Sequence, residues 1–118
     1  MKLKIVKFKS LKSTNDEAIK LIRSDKLLSG LISANIQTKG RGTMGKKWIS
    51  YKGNILISIF FKVNLIKIKI ENYLIINATI IKNKLNKYTK KIIKIKKPND
   101  LLIDGKKICG ILQEVVEH

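Results

Sequence analysis

An apolar stretch from Gly30 to Gln37 runs directly into Gln37-Thr38-Lys39-Gly40-Arg41-Gly42-Thr43-Met44-Gly45-Lys46-Lys47-Trp48, and nothing else in the chain restricts its fold so tightly. Leu31-Ile32-Ser33-Ala34-Asn35-Ile36 has the length and composition of a strand. Three glycines within the six residues Gly40 to Gly45 then permit backbone angles and close approaches that other residues resist. The apolar run delivers the chain straight into this glycine loop, where a run of free backbone N–H groups beside cationic side chains is a natural cradle for phosphate or carboxylate. Arg41 departs from the habit of the chain, whose only other arginine is Arg23. Its planar guanidinium grips an anion at two points, which a lysine cannot do. The same segment also fits a flexible surface loop with solvated charge, and a glycine pattern alone does not separate the two.

Around this junction the hydrophobic periodicity switches several times. Residues 3–9 alternate as an opening strand, Leu3, Ile5 and Lys7 against Lys4, Val6 and Phe8. Thr14-Asn15-Asp16-Glu17 fits a capping box, with Thr14 as the cap and Glu17 reaching back. The helix that follows is expected to run to Ser24, with Ala18, Leu21 and Ile22 facing the core. From Asn54 to Val63, Ile55, Ile57, Ile59 and Phe61 share one face and Leu56, Ser58 and Phe60 the other, which suggests a central strand buried on both sides. Over 69–88, Leu74, Ala78, Ile81, Leu85 and Tyr88 recur at helical spacing. Ile92 to Lys97 alternates as a strand and stops at Pro98. Asp104-Gly105 signals a hairpin between Leu101-Leu102-Ile103 and the segment Lys107 to Leu112, where Gly110 marks a bulge or a ligand against the backbone. Strands and helices in this order predict an α+β fold, a mixed or antiparallel sheet with helices packed on one face.

At 118 residues the chain has room for one domain with a single core. No apolar run approaches the ~20 residues that span a bilayer. One cysteine, Cys109, excludes an internal disulfide and fits a reducing cytoplasm. The net charge of +18 invites a nucleic-acid partner. Yet the lysines are spread over the whole chain, and lysine, isoleucine and asparagine are enriched together, as an A+T-rich codon bias produces. Specific DNA binding is not expected.

Four groups carry chemistry: Ser13-Thr14-Asn15, the Gln37–Trp48 segment, Lys96-Lys97-Pro98-Asn99-Asp100, and Lys107 to Leu112. Each has a plain structural alternative: a helix cap, a solvated loop, a turn, and the exposed side of a hairpin. Their order and spacing, however, make the chain resemble the catalytic domain of biotin–protein ligases, which shares a superfamily with lipoyl ligases. The likeness includes Ser13-Thr14-Asn15, Gly40-Arg41-Gly42-x-x-Gly45 followed by Trp48, Gly53-Asn54, Lys96-x-Pro98-Asn99-Asp100 and Gly110-Ile111-Leu112.

The resemblance implies a class II synthetase-like fold, present here in part as residues 1–118. It also implies an enzyme that joins biotin to ATP, with Mg²⁺ as the nucleotide's partner, and passes biotin to a lysine of a biotin carboxyl carrier protein. Arg41 and Lys107 are then the catalytic cations, offsetting anion repulsion and stabilising charge at the α-phosphate. Ser13, Thr14, Asn15 and Gln37 surround the polar ring of biotin. Arg41, Gly42, Thr43, Lys107 and Gly110 complete the biotin site. Gly40, Gly45, Trp48, Lys96, Asn99 and Asp100 face ATP or the adenylate, and no metal cage of protein ligands is expected. Two alternatives stay open: a lipoate- or octanoate-transferring relative, and a non-catalytic basic module that binds nucleic acid or an acidic carrier domain.

Some positions depart from the family pattern. Thr43 and Lys46 stand where the loop commonly carries further arginines, and Lys97 where tryptophan usually precedes Pro-Asn-Asp. A weaker hold on the adenylate is expected, because an ammonium does not replace a fork. The family's catalytic domain continues past the Gly-Ile-Leu strand, and a small C-terminal barrel usually follows it. The expectation is therefore a fragment, a truncated gene, or two chains that complete each other as a homodimer. No separate DNA-binding domain is expected before residue 1.

Overall fold

The computed structural model describes residues 2–97 and 99–118, so Pro98 and the strand stop expected there lie outside the described residues. The chain forms two compact units, Met1–Val63 with Glu114–His118, and Asn64–Gln113.

In the first unit, strand β1 (Ile5–Leu11), helix α1 (Thr14–Arg23) and strand β2 (Gly30–Gln37) are followed by two short strands, β3 (Gly40–Arg41) and β4 (Lys47–Trp48), and then β5 (Leu56–Phe60). The order β1-β2-β5 makes a mixed sheet, β1 parallel to β2 and β2 antiparallel to β5. Helix α1 packs on β2 and β5. Ala18, Ile32 and Phe60 form the core there, lined by Val6, Phe8, Leu11, Leu21, Ile22 and Leu27.

Three expectations need correction in this unit. The opening strand starts two residues later, at Ile5. The helix is capped by Ser13, whose Oγ accepts from the Asp16 N–H, and not by Thr14. Thr14 cannot serve, because its hydroxyl and its backbone N–H both donate to Gln37 Oε1. Strand β5 is an edge strand among the described residues, not a central one. Only the Leu56, Ser58 and Phe60 face is buried, while Ile57 and Ile59 are 46% and 52% exposed.

In the second unit, helix α2 (Ile70–Leu85) precedes β6 (Lys94–Lys96), β7 (Asp100–Ile103) and β8 (Lys106–Gly110), an antiparallel meander. Ala78, Ile93 and Leu101 are the buried centre. Tyr88 leaves the helical stripe and is 85% exposed, because Asn86–Tyr88 tightens into a 3₁₀ turn whose shorter period rotates it outward. The strand expected from Ile92 begins at Lys94. The Asp104-Gly105 turn forms as expected, with φ of 50° and 75° at its two central residues, which glycine tolerates and most residues resist.

The bulge falls at Ile108, not Gly110. Leu101 faces Cys109 whereas Leu102 faces Lys107, so Ile108 is the extra residue, and Gly110 pairs regularly with Asp100. Because side chains alternate with a period of two, one inserted residue moves Lys107 to the opposite face of the hairpin. That face is the one Asp100 and Leu102 share. Among the described residues the strands form three small sheets instead of the single one expected. No helix among the described residues is long and apolar enough to cross a membrane.

Candidate functional site

Within the first unit the glycine segment is a closed ribbon and not an open loop. Gly40 pairs with Trp48, Arg41 pairs with Lys47, and Gly42 N–H donates to Lys46 O at 2.7 Å. The expected cradle of free N–H groups is therefore partly consumed by the ribbon itself. Gly40 is required by packing: a Cβ there would sit 2.6 Å from Trp48 O. Thr43 and Gly45 lie exposed at its tip.

The end of β2 brings Gln37 to the start of α1. Gln37 Oε1 accepts from Thr14 N at 2.7 Å and from Thr14 Oγ1 at 3.0 Å. Ser50 holds the Gln37 backbone, accepting from its N–H at 3.4 Å and donating to its carbonyl at 3.3 Å. From the sheet beneath, Ser58 Oγ contacts Thr14 Oγ1 at 2.7 Å and is hydrogen-bonded to Asn15 Oδ1. Thr14, Asn15 and Gln37 therefore form one polar array. Ser13 is buried and serves as the cap.

The array continues to Arg41 through an acidic residue. Asn15 Nδ2 donates to Glu114 Oε1 at 3.1 Å. Glu114 takes a bidentate grip on Arg41, with Nη2 at 2.7 Å from Oε1 and Nη1 at 3.0 Å from Oε2. Asp16 Oδ1 accepts from Arg41 Nε at 2.9 Å and lies 2.8 Å from Nη2. The guanidinium thus comes ready-neutralised by two carboxylates, a pairing that no motif in the sequence predicts. Any anionic ligand gripped by this fork must displace one of them.

The hydrogen bonds from Arg41 are the main reason the Glu114 carboxyl titrates below its ordinary value, with burial opposing the shift and Asn15 assisting it. A carboxylate lowered by folding stabilises the protein above its unfolded pKa and loses that contribution as pH falls through the folded value. Side-chain exposures of 37% and 31% for Arg41 and Glu114 keep the effect small. Glu114→Gln should cost about 0.2–1 kcal/mol at pH 7. The gap should close as pH falls below the usual glutamate value of about 4.3. Urea midpoints across pH would show a constant gap if the pair contributed nothing.

Within the second unit, the bulged hairpin sets Lys107 Nζ 2.9 Å from Asp100 Oδ1. Asn99 clasps Ile111, its Nδ2 donating to the Ile111 carbonyl at 2.8 Å and its own carbonyl accepting from Ile111 N at 3.0 Å. Asn99 thus braces the strand end. Lys96 is exposed on β6, opposite Asp100, which in turn faces Gly110. Burial pushes the Cys109 thiol up, with Asp100 adding to the rise and Lys107 opposing it. Cys109 is therefore a neutral thiol at pH 7 and a poor nucleophile. Among the described residues no three His, Cys, Asp or Glu side chains gather to hold a metal ion.

Sequence reasoning missed Ser58, Ser50, Asp16 and Glu114 as members of the site. Only Ser58 left a signal: a hydroxyl between Leu56 and Phe60 on the inward face of a strand needs a polar partner.

The biotin/lipoate A/B protein ligase family model matches residues 7–118. The chain is 32% identical over 106 residues to the bifunctional ligase/repressor BirA of Bacillus subtilis, covering 89% of this chain and 33% of that protein. The biotin protein ligase from Aquifex aeolicus, in complex with biotin and ATP, superposes with a TM-score of 0.79 at 26% identity, covering 95% of this chain and 47% of that one. The biotin acetyl coenzyme A carboxylase synthetase from Helicobacter pylori, with bound biotinylated ATP, shares the fold with a TM-score of 0.84 at 23% identity. That match covers 98% of this chain and 56% of the other. The chain thus spans about a third of the length of the curated relatives it matches.

Proposed function

Because this chain belongs to the biotin/lipoate A/B protein ligase family, we propose that residues 1–118 act as part of a biotin–protein ligase catalytic domain. In the first step a biotin carboxylate oxygen attacks the α-phosphorus of ATP and pyrophosphate leaves, giving biotinyl-5′-adenylate. In the second, the amine of a lysine on a biotin carboxyl carrier domain attacks the acyl carbon and AMP leaves. Mg²⁺ enters with ATP as part of the substrate.

One observation carries this reading. A neutral array of Thr14, Asn15 and Gln37 is joined through Glu114 to the guanidinium of Arg41. Hydroxyl and amide groups suit the ureido ring of biotin, and a bidentate fork suits its acid. Glu114 already occupies that fork as a carboxylate, and the acid of the ligand would take its place. Lys107, anchored by Asp100, is the second cation, offsetting charge that builds at the α-phosphate. Ser13 supports the array as the helix cap. Gly40, Gly42, Thr43 and Gly45 supply the ribbon beside the ligand, and Trp48 an aromatic face for the adenylate. Lys96, Asn99, Asp100 and Gly110 shape the nucleotide side.

The test is isotopic exchange of pyrophosphate into ATP by the purified chain. Exchange that requires biotin supports the proposal. Exchange that requires lipoate or octanoate instead would move the chain to the other branch of the family. No exchange with either acid, together with salt-sensitive binding to arbitrary DNA, would leave a basic binding module.

A further inference from the structure

We infer that Ser58 is a positioning residue of the polar array, orienting Thr14 and Asn15 so that the array meets an N–H donor of the ligand; this rests on the biotin reading above. Ser58 lies on the inward face of β5 between two buried apolar residues, Leu56 and Phe60, and is itself only 8% exposed. A hydroxyl in such a place persists where it is hydrogen-bonded. Its partners are both on the first turn of α1: Thr14 Oγ1 at 2.7 Å, and Asn15 Oδ1.

Counting protons gives the array its polarity. Asn15 Oδ1, Ser58 Oγ, Thr14 Oγ1 and Gln37 Oε1 form a line of three oxygen–oxygen contacts. Two hydroxyls supply two protons to those three contacts. In the unliganded chain neither amide relieves the shortage by turning over: Gln37 Oε1 is fixed by the Thr14 N–H, and Asn15 Nδ2 donates to Glu114 Oε1. The line is therefore richer in lone pairs than in protons. It is matched to a ligand that brings N–H groups, as the ureido ring of biotin does, and mismatched to the dithiolane of lipoate, which has none. Ser58 acts through its two neighbours and needs no contact with the ligand.

Ser58→Ala, Ser58→Cys and Ser58→Thr test this by calorimetric titration of biotin and by separate KM values for biotin and ATP. Cysteine keeps the bulk of serine with a weak donor, and threonine keeps the hydroxyl. The alanine and cysteine variants should bind biotin about tenfold more weakly, as for the loss of one hydrogen bond. KM for ATP should stay within about twofold and melting temperature near that of the parent, because the remaining side chains at the site are unaltered. Threonine should restore binding. Parent-like biotin affinity in the alanine and cysteine variants would overturn the assignment, as would a threonine variant no better than alanine. If the parent chain itself binds no biotin, the ligase proposal fails on its own. Ser58 is then judged in the unliganded protein, where the side-chain amide NMR signals of Asn15 and Gln37 should shift in the alanine and cysteine variants and return with threonine. Unmoved signals would overturn the positioning role.

Discussion

Lys107→Ala should slow biotinyl-adenylate formation by about a hundredfold, or about 2.7 kcal/mol of barrier, while leaving the fold intact. The side chain is 42% exposed and ends 2.9 Å from Asp100, so its removal deletes no core packing. The ion pair holds the ammonium in one direction, and a preorganised charge stabilises a transition state without reorganising at the moment of reaction. Asp100→Asn should lower the rate by a smaller factor, since the Lys107 side chain remains and the ion pair to Asp100 is lost. Single-turnover formation of the adenylate is the proper measurement, because product release does not mask it. A Lys107→Ala chain that forms adenylate at the parent rate would remove Lys107 from the chemistry.

Arg41→Ala should produce a loss of the same order, for a compound reason. Nε, Nη1 and Nη2 all donate to Asp16 or Glu114. Truncation removes the fork that would take the ligand acid, and it also leaves two uncompensated carboxylates facing an anionic substrate. Attraction is replaced by repulsion. Arg41→Lys should fall between, since an ammonium keeps the charge and loses the bidentate grip. KM for biotin should rise along with the fall in rate, because the fork acts in the ground state as well. If Arg41→Ala lowers stability yet adenylates normally, Arg41 serves only to clasp the ribbon to the first turn of α1.

Much of the architecture was legible because it rests on neighbours in the chain. The strand Gly30–Gln37 matched its apolar run, and the Asp104-Gly105 turn matched a backbone preference confined to two residues. The α1 core face followed from three-and-four spacing, with Ala18, Leu21 and Ile22 in the core of the first unit. Family membership followed from short motifs in a fixed order. The helix cap went wrong by one residue for a reason that lies 23 positions away, in the Gln37 amide that claims the Thr14 hydroxyl.

By itself the sequence determined the local elements, the glycine ribbon's place at the end of β2, and the types of residue available for binding an acid and a nucleotide. Tertiary structure alone decided how those side chains are used. The extra residue at Ile108 turns Lys107 toward Asp100, although period-two alternation puts it on the other face. Glu114, 73 positions from Arg41, fills its fork, and Ser58 enters the polar array from a neighbouring strand. Hydrogen bonding and charge pairing act over a few ångströms of space and are indifferent to separation along the chain. Periodicity sees only the latter.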